Sequence, residues 1–369
     1  MAGKVRIGLI GLGFGAEFIP IYQNHPHAEV VAVCRRDLSK LNAIGDAFGV
    51  SRRYTDWREL IRDSEVDAVH INSPIPDHAA MSLAALEAGK HCACTVPMAT
   101  NLEALKVLCR AQRETGKNFM MMETVLYARE FLFVQDLLRS GQMGRLQFLR
   151  GSHQQQMDGW PGYWEGLPPM HYATHCISPL LALAGILAES VVCHGSGRID
   201  NRLAVIYGSP YAVETATLRL ADSDVAAEVT RSLFSTARQY RESFDVYASK
   251  ISWEWSQLEG EEAVLHHGEE PRRVSVPDYA DRLPEAIRRF TNKGVYDSAE
   301  NVHLSFTQGA GHGGSHPHLA HEFVTSIIEG REPFPNAVQS ANYTAAGICA
   351  HESALRGGER VSLPDFSKD

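Results

Sequence analysis

The chain opens on an apolar strand that runs directly into a glycine-rich loop. Residues 5–16 read Val-Arg-Ile-Gly-Leu-Ile-Gly-Leu-Gly-Phe-Gly-Ala, with small residues at positions 11, 13 and 16. In the G-x-G-x-x-G/A fingerprint the first glycine allows a tight turn and the second lets backbone N–H groups approach a pyrophosphate. The small third residue lets a helix pack close to the strand. A helical segment and a second strand complete a βαβ unit. The pattern predicts a dinucleotide site whose loop consists of Gly11, Gly13, Phe14, Gly15 and Ala16.

Strands and helices alternate over about the first 120 residues, which indicates a doubly wound parallel sheet. The predicted strands are Val5–Ile10, Val30–Cys34, Ala68–Asn72, His91–Cys94 and Asn118–Met122. The predicted helices are Glu17–Gln23, Leu38–Phe48, Trp57–Asp63, His78–Ala88 and Leu102–Thr115. We therefore expect a Rossmann-type α/β dinucleotide-binding domain over residues 1–124.

From Leu146 onward the pattern changes to long stretches typical of antiparallel strands. The predicted strands are Leu146–Gln155, Ala212–Leu220, Ala226–Leu233, Arg241–Ala248, Lys250–Gln257 and Glu262–His266. The predicted helices are Tyr172–Ala184, Arg282–Thr291, Leu319–Glu329 and Val338–Leu355. Residues 125–369 are thus expected to form an α+β domain with an open, mostly antiparallel sheet that binds substrate. Because a sheet face without helices must be buried elsewhere, we also expect a homodimer or homotetramer.

Composition argues against several classes of protein. The net charge is −9 and Lys and Arg form no long stripe, so nucleic acid is not an expected partner. No apolar run reaches the roughly 18 residues that a membrane helix needs, and no secretory pattern precedes the first strand. The seven cysteines are odd in number and scattered, which is typical of a reduced, cytoplasmic setting.

Two arginines stand at the end of the second strand. An acidic residue about 20 positions after the glycines commonly holds the ribose 2′-hydroxyl of NAD, but here the chain reads Cys34-Arg35-Arg36. Either guanidinium can pair with the 2′-phosphate of NADP, or it can stack on the adenine without discriminating between the cofactors. The pattern favours NADP over NAD. The alternative is a pair of solvated surface arginines, with Asp37 just beyond them.

Several segments resemble the glucose–fructose oxidoreductase/inositol dehydrogenase (Gfo/Idh/MocA) family over nearly the whole chain. They are the glycine loop, Asn72–His78 (Asn-Ser-Pro-Ile-Pro-Asp-His), Gly89–His91, Ser140–Gly144, Leu319–Arg331 and Gly358–Phe366. The resemblance implies that a sugar or polyol hydroxyl is oxidised or reduced with NAD(P). It also implies further cofactor contacts from Ser73, Pro74, His78 and Pro97.

The elements that carry the family's acid–base chemistry differ in this chain. The family's Glu-Lys-Pro reads Thr95-Val96-Pro97, so valine replaces the lysine that transfers a proton. The family's Asp-x-x-x-His reads His171-Tyr172-Ala173-Thr174-His175, so the aspartate is replaced and the histidine is kept. Hydride transfer from a hydroxyl carbon needs a group that takes the hydroxyl proton. We therefore expect His175, His171 or Tyr127 to be the catalytic residues.

Several of the 17 histidines have spacings that suit a metal. His171 and His175 are i and i+4, which predicts one face of a helix, and His316 and His318 end a loop rich in glycine and histidine. Imidazole binds Zn, Mn, Fe or Ni, and a divalent metal would polarise an alkoxide in place of the missing lysine. The favoured alternative is a set of neutral histidines that bind substrate or pack in the core.

An aromatic loop and several polar side chains suit a carbohydrate ligand. Trp160 and Trp164 offer flat apolar faces with polar edges, although an oligomer contact or loop packing is the alternative. Glu123 follows the fifth strand, where family members place substrate contacts. The alternative is that Glu123 caps a helix or forms an interdomain ion pair with Arg129. The predicted substrate-binding residues are Glu123, His153, Trp160, Trp164, His312 and His316.

Four later residues, Arg231, Arg238, Tyr240 and Arg241, are interpreted mainly as solvated surface. The leading hypothesis for the whole chain is an NAD(P)-dependent oxidoreductase acting on a hydroxyl or keto group of a sugar, sugar derivative or polyol. In it His175 is the general base or substrate-orienting group and His171 is its partner. A redox-neutral lyase, hydratase or glycosidase on a keto-sugar, assisted by a histidine-bound metal or not, is the second hypothesis. A non-catalytic, cofactor-binding protein is the third.

Overall fold

Two compact units make up the chain. The computed structural model describes residues 3–157, 166–238, 240–258, 260–291 and 312–368. The first unit comprises 1–124, 279–341 and 366–369, and the second comprises 125–278 and 342–365. The predicted domains, 1–124 and 125–369, share the boundary after Thr124 with this division. They differ from it at the C-terminal end, where residues 279–341 and 366–369 group with the first unit.

The first unit contains a parallel sheet of six strands among the described residues. The strands are β1 (Val5–Ile10), β2 (Ala28–Cys34), β3 (Arg52–Tyr54), β4 (Ala68–Ile71), β5 (His91–Thr95) and β6 (Phe119–Met122). The helices that alternate with them are α1 (Phe18–Asn24), α2 (Leu38–Phe48), α3 (Trp57–Arg62), α4 (His78–Glu87) and α5 (Leu102–Thr115). The strand order 3-2-1-4-5-6 is that of a Rossmann fold. The predicted α/β class is confirmed.

Local sequence signals set the ends of these helices. Asp37 caps α2 by accepting the N–H of Lys40, and Asn101 caps α5 by accepting the N–H of Ala104. Gly49 and Gly116 end the same two helices in the left-handed region. These caps explain why the predicted limits of α2 and α5 agree with the structure to the residue.

The second unit contains a sheet of nine strands among the described residues. The strands are β7 (Leu146–Gln155), β8 (Ala188–Ser196), β9 (Val213–Leu220), β10 (Ala226–Ser232), β11 (Tyr240–Ala248), β12 (Ser252–Glu254), β13 (Ala263–His267), β14 (Glu270–Val274) and β15 (Val361–Ser362). Their order is 14-13-12-11-7-10-9-8-15. Neighbours are antiparallel except β7 and β10, which are parallel. The predicted open, mostly antiparallel sheet is confirmed.

The remaining helices complete the two units. They are α6 (Arg129–Arg139), α7 (Thr174–Ala184), α8 (Asn201–Tyr207), α9 (Glu285–Arg288), α10 (Ser315–Glu329) and α11 (Ala337–Leu355). In the second unit Phe131 of α6 packs on Phe244 of β11, so this helix covers the sheet face to which that ring belongs. All seven cysteines are buried with free thiols. Among the described helices none is long and apolar enough to span a membrane.

Candidate functional site

The glycine loop of the first unit has the geometry that a pyrophosphate requires. Gly11 has φ of +86°, and a Cβ there would lie 2.3 Å from the carbonyl oxygen of Asn72, so only glycine fits. A Cβ on Gly15 would lie 2.8 Å from the Asn72 amide nitrogen. Around Gly13, by contrast, no atom of the described residues lies within 4 Å of the Cβ position. The loop is therefore packed on one side and open on the other, which fits a dinucleotide.

The two arginines after β2 differ in their surroundings. Arg35 Nη1 donates to the carbonyl oxygen of Leu12 at 3.2 Å, which holds this guanidinium beside the glycine loop. Arg36 is exposed. The Asp37 carboxylate caps α2, and the hydrogen bond from the Lys40 N–H lowers its pKa. The acidic residue that follows the two arginines is thus engaged in helix capping, while Arg35 lies beside the loop.

His78 ties together the loops that follow β4 and β5. Its Nδ1 lies 2.8 Å from the carbonyl oxygen of Pro97, and its Nε2 lies 2.8 Å from that of Ser73. The ring is 1% exposed, and this burial lowers its pKa. The four predicted cofactor contacts Ser73, Pro74, His78 and Pro97 are therefore close together at the carboxyl ends of the strands. Val96, between them, is buried and carries no titratable group.

Two of the histidines at 312–318 lie against the glycine loop in the first unit. His312 and His316 contact the ring of Phe14, with ring centroids 5.9 and 5.4 Å apart. His316 Nδ1 is 3.0 Å from Glu17 Oε2. His318 is 7% exposed. His312 and His316 therefore lie beside the predicted cofactor loop, and their predicted role in substrate binding stays a prediction.

Glu123 and Tyr127, two of the predicted site residues, follow β6 in the sequence. Glu123 directly succeeds β6 and is fully buried. Tyr127 ends the single turn Thr124–Tyr127 and is half-buried. Trp160 and Trp164 lie outside the described residues. The predicted roles of these four side chains stay predictions.

A row of polar side chains crosses the sheet of the second unit. His153 of β7 is in register with Arg231 of β10 on one side and with Glu242 of β11 on the other. Arg231 is in turn in register with Glu214 of β9. Because side chains alternate between the faces of a strand, His153 shares its face with Leu149 and Gln155, all three of which are buried. The row therefore lies on the covered face of the sheet.

Helix α7 brings His175 onto this row. A Cβ on Gly151 would lie 2.1 Å from the carbonyl oxygen of Cys176, so the glycine lets the helix cross β7 at close range. The His175 ring then lies 5.2 Å, centroid to centroid, from the His153 ring. His175 Nε2 is 3.3 Å from the Tyr172 hydroxyl and 3.7 Å from Glu242 Oε1.

The carboxylate of Glu242 lies close to three side chains of this region. We call the group formed by His153, Tyr172, His175, Arg231, Tyr240 and Glu242 the polar cluster. The Tyr240 hydroxyl donates to Glu242 Oε1, and His153 Nε2 lies 3.9 Å from the same oxygen. Burial, and then the neighbouring Glu242 charge, raise the pKa of Tyr240 well above its usual value. Tyr240 therefore stays protonated as a donor, and Glu242 stabilises positive charge on His175.

The predicted pairing of His171 with His175 on one helix face is wrong. Helix α7 begins at Thr174, and His171 lies in the preceding single turn Pro169–Tyr172. Its ring packs edge-on against His351, whose Nδ1 is 2.7 Å from Glu214 Oε1. Burial lowers the pKa of His171 to about 3. His171 thus packs with His351, and the helical spacing fails because the helix starts three residues later.

The interpretation of Arg231 and Tyr240 as solvated surface is also wrong. Arg231 is 0% exposed, and the Tyr240 ring contacts the His153 ring at 5.6 Å between centroids. The residues missed as site candidates are Tyr172, Arg231, Tyr240 and Glu242. Strand alternation indicates three of these residues. Arg231 lies two positions after the buried Val229, and Tyr240 and Glu242 lie four and two positions before the buried Phe244, so all three share a strand face with a buried residue.

Nothing in the described part of the chain groups three or more His, Cys, Asp or Glu side chains as a metal site. The helical spacing that suggested a metal does not exist, because His171 and His175 are not on one helix. The imidazole, phenol and carboxylate groups of the polar cluster can exchange protons with a ligand.

Sequence comparison agrees with the geometry of the glycine loop. Residues 5–123 match the profile of the GFO_IDH_MocA oxidoreductase family, described as an NAD-binding Rossmann fold. Residues 5–123 therefore form an NAD-binding domain of the Gfo/Idh/MocA type. Glycosyl hydrolase family 109 protein 1 of Bacteroides fragilis is 28% identical over 412 residues, covering 99% of this chain and 85% of that protein.

Two further proteins show how far the similarity extends. An uncharacterized oxidoreductase of Rhizobium meliloti is 32% identical over 149 residues, which cover 40% of this chain and 45% of that protein. Levoglucosan dehydrogenase in complex with NADH and levoglucosan has a TM-score of 0.76 at 20% identity, covering 98% of this chain and 100% of that chain. The structural likeness extends the shared Gfo/Idh/MocA fold to nearly the whole chain.

Proposed function

We propose that this Gfo/Idh/MocA protein is an enzyme that uses a nicotinamide dinucleotide to oxidise or reduce a hydroxyl or keto group of a sugar, sugar derivative or polyol. The observation that carries the proposal is His175. Its Nε2 is 3.3 Å from a tyrosine hydroxyl and 3.7 Å from a carboxylate in a buried cluster. Such an arrangement accepts a hydroxyl proton and stabilises the resulting imidazolium. The carbohydrate ligand of levoglucosan dehydrogenase supports the substrate class.

The chain's own residues have distinct tasks in this reaction. NAD(P), when bound, exchanges hydride with the carbon that bears the hydroxyl. His175 accepts the hydroxyl proton at Nε2, and the Glu242 carboxylate stabilises the positive charge. Tyr172 orients the substrate oxygen through its hydroxyl group. Since Val96 cannot move a proton, we assign the general base to this cluster.

A redox-neutral glycosidase is the second candidate. The alignment with glycosyl hydrolase family 109 protein 1 covers 99% of the chain, which favours it. A redox-neutral reaction on a sugar would leave the cofactor and the sugar with no net change in oxidation state. The base that removes the hydroxyl proton is needed in both candidates, and His175 serves in either.

One experiment separates these candidates. The purified protein is incubated with NAD or NADP and a panel of free sugars, polyols and chromogenic glycosides. Net reduced cofactor with a free sugar or polyol supports the dehydrogenase. Release of the leaving group without net reduction supports the glycosidase. Tight cofactor binding with neither activity across the panel contradicts both and favours a cofactor-binding protein without catalysis.

The NADP preference rests on Arg35. Its guanidinium lies beside the glycine loop, while Asp37 is engaged as a helix cap. We propose that Arg35 pairs with a 2′-phosphate. Dissociation constants for NADP and NAD, measured with the wild type and Arg35→Gln, test this. The preference for NADP falls in the variant, and tighter binding of NAD by the wild type contradicts the proposal.

We also propose a cytoplasmic location and a homodimer or homotetramer. The free state of all seven cysteines supports the former. The nine-stranded sheet supports the latter, because a sheet face without helices needs burial. Light scattering of the purified protein measures the assembly, and a monomer contradicts it.

A further inference from the structure

Arg231 is a fully buried cation at the centre of the sheet of the second unit. Its Nε donates to the carbonyl oxygen of Tyr172 at 2.8 Å, and its Nη1 donates to that of His153 at 3.3 Å and to that of Ser232. Its Nη2 donates to Gln155 Oε1 at 2.8 Å. Four of its five N–H groups are thus satisfied by neutral oxygen atoms.

No carboxylate of the described residues forms an ion pair with Arg231, which is unusual for a buried charge. Its acidic neighbours in the row form their hydrogen bonds and ion pairs with other groups. Glu214 accepts from the Met170 N–H and contacts His351, and Glu242 accepts from the Tyr240 hydroxyl. Burial lowers the pKa of Arg231 to about 10, so the guanidinium is still charged at neutral pH.

This charge acts on the groups that hold protons in the polar cluster. The Arg231 guanidinium carbon lies 5.5 Å from the centre of the Tyr172 ring. A cation at this range favours the deprotonated form of every neighbouring acid and disfavours imidazolium. The titratable and charged groups that face Arg231 are Tyr172, His175 and Cys176 near α7, His153 on β7, Tyr240 and Glu242 on β11, and Glu214 with His351 beyond β9.

We propose that Arg231 is a positioning residue, which orients Tyr172 and His153 through their carbonyl groups and keeps His175 unprotonated as the base. This inference rests on the proposed function, because it assigns the base of that reaction. The hydrogen bonds and the charge are separate contributions. A lysine at position 231 retains the positive charge and loses the planar array of N–H donors. A carboxylate placed beside the guanidinium offsets the positive charge and leaves that array of donors intact.

Three variants separate the two contributions. Arg231→Met removes both, so kcat falls at least about tenfold and the acidic limb of the kcat/KM profile moves to higher pH by about one unit. Arg231→Lys lowers kcat and leaves the limb in place. Gln155→Glu retains an acceptor for Nη2 and adds a negative charge, so the limb moves to higher pH although the arginine is intact. If Arg231→Met does not fold, Gln155→Glu decides.

The matched control is Arg150→Met. Arg150 lies on β7, pairs with Asp245 at 2.8 Å and makes no hydrogen bond to the polar cluster within the described residues. Its loss leaves the acidic limb unchanged. The same shift in Arg150→Met as in Arg231→Met would show a general effect of charge and overturn the proposal. An unmoved limb in both Arg231→Met and Gln155→Glu would also overturn it.

A readout without turnover keeps this inference distinct from the proposed function. The ring resonance of His175 is followed by NMR as the pH is changed, with His175→Gln identifying the signal. The midpoint rises in Arg231→Met and Gln155→Glu and stays in Arg231→Lys and Arg150→Met. If no sugar or glycoside reacts, the proposed function fails while these midpoints still test the electrostatic role of Arg231. Equal midpoints in all five proteins, wild type included, refute that role.

Discussion

Two histidines four residues apart have opposite surroundings in the second unit. His175 faces the Tyr172 hydroxyl and the Glu242 carboxylate. His171 packs against His351, and burial lowers its pKa to about 3. A ring whose pKa is about 3 is a poor proton acceptor at neutral pH, because its protonated form is strongly disfavoured. The geometry therefore separates a catalytic candidate from a packing residue.

This separation predicts unequal effects of the same substitution. His175→Gln removes the base, and kcat falls by roughly 10²–10⁴-fold. His171→Gln retains a polar side chain of similar size outside the polar cluster, and kcat falls less than about tenfold. Steady-state rates with the substrate found in the panel measure both, and circular dichroism confirms folding. Equal losses in the two variants contradict the assignment of His175.

Glu242 shifts the pH profile in the direction opposite to that expected of Arg231. Glu242→Gln keeps the shape of the side chain and removes the negative charge that stabilises imidazolium at His175. The pKa of that ring then falls, so the acidic limb of kcat/KM moves to lower pH while kcat decreases. Glu254→Gln, on the half-exposed side chain of β12, is the control and leaves the limb in place. A limb that moves to higher pH in Glu242→Gln contradicts the role of this carboxylate.

Strand alternation alone places part of the polar cluster. Arg231 follows Ala227 and Val229 at intervals of two, so its side chain points to the buried face whatever its charge. Its charge favoured a surface interpretation, because arginine is seldom fully buried. Which strands are neighbours, and hence that Arg231, His153 and Glu242 form a row, depends on register between segments far apart in sequence.

At the scale of elements, the crossing of α7 over β7 sets the position of His175. A methyl group on Gly151 would lie 2.1 Å from the backbone oxygen of Cys176, which cannot rotate away. Gly151→Ala therefore pushes the helix from the sheet, and the free energy of unfolding falls by about 1–3 kcal/mol. Denaturant unfolding measures it, with Ser152→Ala on the other face of β7 as control. An unchanged free energy in Gly151→Ala means that the helix adapts.

Elements with strong local signals are the ones that sequence predicts. Helix α2 and helix α5 are capped at both ends, and their predicted limits are confirmed. Strand β8 and helix α8 are not predicted, because β8 has few apolar residues in alternation and only Tyr207 of α8 is buried. Helix α6 is also missed, although its buried Phe131, Leu132 and Val134 have helical spacing. The parallel pairing of β7 with β10 depends on distant segments and leaves no local pattern.

At the scale of the molecule, the chain returns to its first unit after building most of the second. Residues 279–341 and 366–369 group with the Rossmann sheet, and α11 contributes residues to both units. Asn118 of the first unit donates to Ser326 and to the carbonyl oxygen of Arg331, which ties α10 to that unit. A change from alternating to antiparallel pattern marks the first boundary in sequence. The point at which the chain rejoins the first unit leaves no such signal in the sequence, because the patterns of α10 and α11 do not depend on which unit they pack against.

Buried neutral histidines make the stability of the molecule sensitive to acid. Burial lowers the pKa of His25, His70 and His171 to about 3 each. In the unfolded chain each binds a proton below about pH 6.5. Between these values the unfolded state therefore holds more protons. The free energy of unfolding falls by about 1.4 kcal/mol per pH unit for each histidine as the pH decreases.

The acid sensitivity has a direct test in one histidine of the Rossmann sheet. Denaturant midpoints of the wild type fall steadily from about pH 6.5 to about pH 4.5. His70→Gln removes one buried titrating group beside Phe18 and Tyr22. The free energy of unfolding of this variant therefore falls less steeply as the pH decreases, because one proton fewer is taken up on unfolding. His267→Gln, at an exposed position, keeps the wild-type slope. Because the comparison is between slopes, a loss of stability in His70→Gln that is equal at every pH does not affect it. Identical slopes for His70→Gln and the wild type would mean that His70 is already protonated in the folded state.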